Sequence, residues 1–416
     1  MVSCLNIPSG RRLSPRHPRP GQPRLSRTIC SVAVLGAGHG GLALAGQLSL
    51  AGHRVALWNR TAARIEPVLQ RRGIQITLPG KDAASAPVTL VTSSLRAALA
   101  DVHVVLVAVP ACAHADLARA CAPHLRDGQT VLLLPGRTGG ALEFRQMLSR
   151  HGCRARILLG EANTFPVAAR CTGPAESVIF ACKSEVLAAA LPAERTPELL
   201  AACRPVLPML TAAHSVLHTG LDNLGAILHP IIMLVNANRI ERGDVFDFYK
   251  DGVTPEAAAL LEAADEERLQ IAEAYDVPAC SLLDWIADSY DHHTDNIRDA
   301  VGGNPAYVGI KAPTTVVHRY LLEDVATGLI PMIQMGQAAG LGLPTLRSIV
   351  RWAAAVLGTS TWKEWRTLDV LGLSRLSIEE IQEFVQDGET RQRIPSVRLG
   401  VWRKRGSSIP RWSMSA

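Results

Sequence analysis

Two distant stretches of this 416-residue chain carry residues that could do chemistry together. Downstream, His229 stands in Ala226-Ile227-Leu228-His229-Pro230, and Asp324 ends the run Arg319-Tyr320-Leu321-Leu322-Glu323-Asp324. An imidazole titrates near neutrality, which suits it to passing a proton. A carboxylate on its other nitrogen would fix its tautomer and steady the imidazolium. Arg319, five residues before Asp324, offers a planar fork able to grip a substrate carboxylate at both oxygens. Upstream, Val32-Ala33-Val34-Leu35 runs into Gly36-Ala37-Gly38-His39-Gly40-Gly41. A base, a carboxylate and a cation following such a turn are what hydride transfer requires, because a C=O or C=N bond takes up a proton as the hydride arrives.

The glycines fit a dinucleotide site. Gly36 would make the tight strand-to-helix turn, Gly38 would let the backbone approach a pyrophosphate, and Gly41 would let the helix pack closely on the sheet. The pyrophosphate then sits on free N–H groups at the helix start. The ribose position follows the second strand, at Trp58-Asn59-Arg60-Thr61. NAD sites place a carboxylate there; this chain has none. Asn59 can bond the ribose and Arg60 can pair with a 2′-phosphate, which favours NADP and leaves NAD open. A solvated Arg60 at a helix start is the alternative. His229 draws notice because Pro230 follows it inside a helical pattern and removes a helix hydrogen bond, kinking the turn. A core histidine bonded to backbone is the competing reading. Asn223 can line the same site or cap a helix.

Alternating elements position these groups. Strands are expected at Val32–Leu35, Arg54–Trp58, Gly73–Leu78, Val88–Thr92, Val102–Val109 and Thr130–Leu134. Helices between them predict a doubly wound α/β, Rossmann-type parallel sheet. Past about residue 200 helical patterns take over, at Leu221–Arg239, Pro255–Ala274, Leu282–Tyr290, Leu321–Ala339, Leu346–Leu357 and Ile378–Gln386. The expected organisation is a disordered basic arm (1–29), a dinucleotide-binding domain (30–195), a mostly α-helical catalytic domain (196–390) and a basic tail (391–416).

Charge weighs against a nucleic-acid partner. Residues 1–30 carry six Arg and no acid, and residues 391–416 carry seven Lys or Arg and no acid. Without these thirteen, the 43 basic residues fall to 30 against 37 acidic, so the body is mildly acidic. No long apolar run predicts a membrane span. The nine cysteines form no metal-ligand spacing and read as buried free thiols of a reducing cytoplasm. His292-His293 diverge on a helix, and His214 and His218 lack a third ligand in the sequence pattern, so no metal is expected.

The sequence resembles the octopine/nopaline (opine) dehydrogenase family over roughly residues 31–390. Beyond the glycines, the resemblance rests on Glu161-Ala162-Asn163-Thr164-Phe165-Pro166, Arg170, the stretch Asn223 to Asn236, Asn304-Pro305-Ala306-Tyr307, Ala312-Pro313 and the Arg319–Asp324 run. It implies that an amino acid's amine condenses with a 2-oxo acid and that NAD(P)H reduces the imine. It also implies a catalytic pair His229 and Asp324, with Arg319 as carboxylate anchor. A homodimer is compatible with it. Phe165-Pro166-Val167 is less polar and less aromatic than the family pattern, so the substrate stays open. Rival readings are a dehydrogenase of 2-hydroxy acids or polyol phosphates, a non-catalytic NADP sensor, and an RNA- or membrane-surface binder acting through the tails.

Overall fold

A computed structural model describes residues 28–359 and 365–388. The predicted arm and tail lie outside these residues, apart from Thr28 and Ile29. The strands are β1 Ser31–Leu35, β2 Arg54–Trp58, β3 Ile74–Thr77, β4 Ala84–Ala86, β5 Leu90–Thr92 and β6 Val104–Val107. They continue as β7 Thr130–Leu133, β8 Leu158–Ala162, β9 Val167–Gly173, β10 Glu176–Cys182, β11 Val186–Ala190 and β12 Leu210–Ala212.

Eight of them form one sheet in the order β12-β11-β8-β7-β6-β1-β2-β5. Its neighbours are parallel except β11 on β8. The doubly wound α/β expectation holds. Strand β1 shows why the apolar run needs cover on both faces. Val32 and Val34 enter the core beneath the helix His39–Leu50. Ala33 and Leu35 enter a second core that continues into the helical domain.

Three features differ from the sequence expectation. The segment 73–78 is a strand, but β3 belongs to a separate four-stranded sheet, β4-β3-β10-β9. Gly46 lets the helix His39–Leu50 close on that sheet, since a Cβ there would meet Ile74 and Ile76. Next, the large sheet does not end at residue 195. The helix Thr196–Cys203 covers it, and β12 adds a final strand up to Ala212. Lastly, the expected long helix 221–239 is broken into Val216–Leu221, Gly225–Val235 and Ala237–Glu241. The expected helix 321–339 is Arg319–Asp324 and Ile330–Ala338, joined by one wide π turn at Val325–Leu329.

The C-terminal segment ties the domains together. Arg366 is fully buried. Its guanidinium donates to Glu143 Oε2 at 2.7 and 3.1 Å, to the carbonyls of Gly136 (3.1 Å) and Thr138 (3.0 Å), and to that of Ala111 (3.3 Å). These carbonyls belong to the loops that leave β6 and β7 on the cofactor side of the sheet. Removing one partner of a buried ion pair strands the other charge. Arg366→Met should therefore lower unfolding free energy by about 3–5 kcal/mol, read by urea denaturation. A loss below about 1 kcal/mol, the usual worth of a surface pair, would contradict this reading.

Candidate active site

The glycine turn is built as its residues dictate. Gly36 has φ +118°, and a Cβ on it would strike the Ala108 carbonyl at 2.5 Å. A Cβ on Gly41 would fall onto the carbonyl of Gly36, while one on Gly38 would meet nothing within 4 Å. Gly36 and Gly41 thus serve close packing, and Gly38 faces open space. That space belongs to a cavity of about 660 Å³ at the ends of β1, β2 and β6. Gly36, Gly38, Asn59, Arg60, Arg64 and Val109 are among its lining residues. Backbone N–H groups, an open glycine and two arginines fit the pyrophosphate and ribose end of a dinucleotide.

Asn59 and Arg60 have different tasks there. The Asn59 side-chain oxygen accepts from the Ala37 N–H at 3.1 Å, and its amide donates to the Thr61 carbonyl at 3.1 Å. It braces the glycine turn. Arg60 is exposed at the cavity. Arg64, which the sequence reading did not single out, lies four residues on and donates to the Ala37 carbonyl at 3.2 Å. Its spacing from Arg60, one helical turn, was the available signal.

The expected histidine–carboxylate contact forms across 95 residues of sequence. His229 sits in the helix Gly225–Val235, and its Nδ1 lies 2.7 Å from Asp324 Oδ2. Its Nε2 lies 3.1 Å from the Tyr249 hydroxyl. Tyr320 stacks on the ring, with centroids 4.1 Å apart and planes at 16°. With Asp324 ionised, Nδ1 carries the proton toward it and Nε2 accepts from Tyr249. A substrate that exchanges a proton with Nε2 must therefore displace the Tyr249 hydroxyl or use it as a relay. Pro230 follows within the same helix, as the sequence suggested.

Two adjacent carboxylates, Glu323 and Asp324, are both buried. Arg137, from the loop after β7, lies between them: its Nε is 3.7 Å from Glu323 and its Nη1 3.6 Å from Asp324. Burial alone would push the Asp324 carboxyl up; the Arg137 and His229 charges outweigh it and hold the group below its ordinary range. Arg137 also donates to Asn223 Oδ1 at 3.0 Å, and Asn223 donates to the Thr138 hydroxyl at 3.3 Å. Asn223 thus orients Arg137 and makes no side-chain helix cap. Gly225 keeps the space clear, since a Cβ there would press on Arg137 and the His229 ring. Gly328, in the π turn, likewise passes against Ala226 and Asn223.

Arg319 stands one turn from Glu323 and pairs with its Oε2 at 3.0 Å, while the side chain remains 53% exposed. Partial burial, then the charges of Arg170, Arg64 and Arg319, lower the pKa of His39 beside the glycine turn. Among the other motif residues, Glu161 is structural. It accepts from the Thr219 hydroxyl and the Ala141 N–H, each at 2.6 Å, and burial pushes its carboxyl up to about 7. Asn236 is spent on the Ile232 and Gly252 carbonyls.

Sequence reasoning missed Arg137, Tyr249, Glu323 and Arg64. Arg137 had a visible signal, a lone cation in the glycine-rich turn Pro135-Gly136-Arg137-Thr138-Gly139-Gly140. The cysteines are only partly as expected: Cys121 and Cys203 are buried, whereas Cys182 is exposed. His292 and His218 have local partners, the Asp299 carbonyl and the Asp222 carboxylate respectively. No helix among the described residues is long and apolar enough to cross a membrane.

Comparison with known proteins bears on the family and the fold. A family model described as "NAD/NADP octopine/nopaline dehydrogenase, alpha-helical domain" matches residues 212–357. One described as "Ketopantoate reductase PanE/ApbA" matches residues 32–160. An opine dehydrogenase of Arthrobacter sp. (strain 1C) is 38% identical over 354 residues, covering 85% of this chain and 98% of the relative. Octopine dehydrogenase of Pecten maximus is 25% identical, covering 79% and 90%. A solved octopine dehydrogenase with NADH and L-arginine superposes with a TM-score of 0.74 at 21% identity, covering 88% of this chain and 100% of that one. At that identity the superposition shows the fold. With the fold and the curated relatives in agreement, this chain belongs to the opine dehydrogenase family and is an NAD(P)-dependent oxidoreductase.

Proposed function

We propose that this chain joins an amino acid to a 2-oxo acid by reductive condensation, with NADPH as the preferred cofactor. The observation that carries the reading is the His229–Asp324 contact at 2.7 Å, with Arg319 exposed on the helical turn before Asp324. The 2-oxo acid's carboxylate binds the Arg319 donors that Glu323 leaves free. His229 accepts a proton from the substrate ammonium, so the amine nitrogen can attack the carbonyl carbon. It returns a proton to the departing hydroxyl, and water leaves as the C=N bond forms. The nicotinamide, when bound, supplies the hydride that the imine carbon receives. Asp324 keeps the imidazole in the tautomer each transfer needs.

NADPH preference rests on Arg60 and Arg64, two cations at the cavity and no carboxylate at the end of β2. A single reading competes. The ketopantoate reductase model matches the sheet domain, which favours direct reduction of a 2-oxo acid. A matrix of amines against pyruvate, glyoxylate and 2-oxoglutarate, followed by NADPH absorbance, separates the two. A strict amine requirement supports condensation, and equal turnover without amine contradicts it.

His229→Ala should lower turnover by about 10²–10⁴-fold and leave NADPH affinity nearly unchanged, because the cavity lies on the sheet domain. Near-full activity across the pH range would sink the mechanism. Asp324→Asn should cost no more than loss of the histidine, and the double variant should be far from additive, since the pair acts as a unit.

The cofactor assignment is checked with Arg60→Ala and Arg64→Ala. Each should lower kcat/KM with NADPH by about 10–100-fold, the worth of a charge-assisted contact, and leave NADH use nearly unchanged. Equal or better use of NADH by the wild type would overturn the preference.

A further inference from the structure

One nitrogen of His229 is left for chemistry, and a phenol covers it. Nδ1 is taken by Asp324 Oδ2 at 2.7 Å. Any proton that the imidazole exchanges with a substrate must therefore pass at Nε2. That atom lies 3.1 Å from the Tyr249 hydroxyl, which donates to it in the neutral ring. A phenol oxygen can accept a hydrogen bond while it donates one. A substrate N–H that approaches Nε2 thus has two courses: it pushes the hydroxyl aside, or it binds the hydroxyl oxygen.

Packing favours the second course. Tyr249 is buried, and its ring stacks on that of Tyr307, also buried, with centroids 4.3 Å apart. Phe248 meets it edge-on at 5.0 Å, and Tyr290 meets Tyr307 edge-on at 5.2 Å. The adjoining backbone is tied as well, since the Phe248 N–H donates to the Ile310 carbonyl at 2.7 Å. The imidazole is equally fixed. Asp324 holds one edge, and Tyr320 stacks on its face at 4.1 Å. Rings packed this closely have little room to swing apart.

The phenol is also kept neutral. Burial, then the neighbouring Tyr320, Tyr290 and Asp324, push its pKa well above the ordinary range. A free phenolate is therefore not populated near neutral pH, and the hydroxyl cannot act as a base by itself. It can take up a proton only by giving its own away in the same motion, and Nε2 stands ready to receive it.

We propose that Tyr249 is a catalytic residue whose hydroxyl relays the proton between the substrate and His229 Nε2. This rests on the reading of His229 as the proton-transfer group and deepens it. As the substrate ammonium gives a proton to the Tyr249 oxygen, the phenol proton moves to Nε2. One N–H bond breaks and another forms, and one O–H bond is exchanged for another. The amine nitrogen keeps the electron pair with which it attacks the carbonyl carbon, and Asp324 faces the imidazolium charge. In the return step Nε2 gives its proton to the phenol oxygen, the phenol proton passes to the departing hydroxyl, and water leaves as the C=N bond forms. Neither step oxidises or reduces anything.

The test is Tyr249→Phe, which keeps the ring and removes only the hydroxyl. Turnover should fall about 10²-fold, with the KM for the 2-oxo acid and NADPH affinity nearly unchanged. A hydroxyl that is merely displaced predicts the opposite: the variant leaves Nε2 open, and unchanged or faster turnover would overturn the relay. Nitrogen-15 NMR of the His229 ring separates relaying from orienting. A fall in turnover with the Nδ1–H tautomer kept supports the relay, and a fall with that tautomer lost makes Tyr249 an orienting group and refutes it. A proton inventory of single-turnover NADPH oxidation in mixtures of light and heavy water needs no variant. A curve bowed by two moving protons supports the relay in the wild type, and a straight line contradicts it. Failure of the relay and failure of condensation are told apart by the amine requirement. An amine-dependent enzyme fully active as Tyr249→Phe loses the relay and keeps condensation. An enzyme that reduces the 2-oxo acid without amine and still slows in the variant keeps the relay and loses condensation.

Discussion

Everything in this site depends on keeping a carboxylate ionised in a buried place. Asp324 is 1% exposed and Glu323 3% exposed, side by side on one helical turn. Burial alone would push the Asp324 carboxyl up, and the charges facing it hold it below its ordinary range. Arg137 supplies the charge from the opposite domain, Arg319 pairs with Glu323, and His229 Nδ1 lies 2.7 Å from Asp324. Three groups thus face the two carboxylates, and one of them, Arg137, comes from the loop after β7.

Much of the local architecture serves that contact. Gly225 and Gly328 carry no side chain where Arg137, the imidazole and the Asn223 amide must fit. The π turn at Val325–Leu329 follows directly on Asp324, the kind of helix irregularity often found at functional sites. Thr327, within that turn, offers its carbonyl to Thr138 N–H, so the turn also touches the Arg137 loop. Arg366 gathers the same loop from behind, through the carbonyls of Gly136 and Thr138. The loop is held on both sides, which leaves Arg137 little freedom to withdraw.

What the sequence made legible was local or strongly patterned. The strand-to-helix glycine turn, the buried strands β1, β6 and β7, and the His-Pro step inside a helix all carry signals within ten residues. His229 and Asp324 could be paired only through resemblance, because 95 residues separate them. Arg137 escaped notice for the same physical reason: its partners lie 86 to 187 positions away, and a loop arginine shows no periodicity. The hairpin β9–β10 was missed because β9 mixes small and polar residues with no apolar run, although β10 carries one at Val178–Cys182 that could have been read as a strand. The end of the sheet domain was placed too early because β12 is three residues long.

The central claim is that Asp324 is ionised and fixes the imidazole tautomer. Nitrogen-15 NMR of the His229 ring, assigned by its absence in His229→Ala, reads this directly. In the neutral ring the account predicts a protonated Nδ1, bonded to Asp324, and an unprotonated Nε2 facing Tyr249. The preference should weaken in Asp324→Asn. A neutral wild-type ring protonated at Nε2 and bare at Nδ1 would contradict the account, because Asp324 would then be neither partner nor guide.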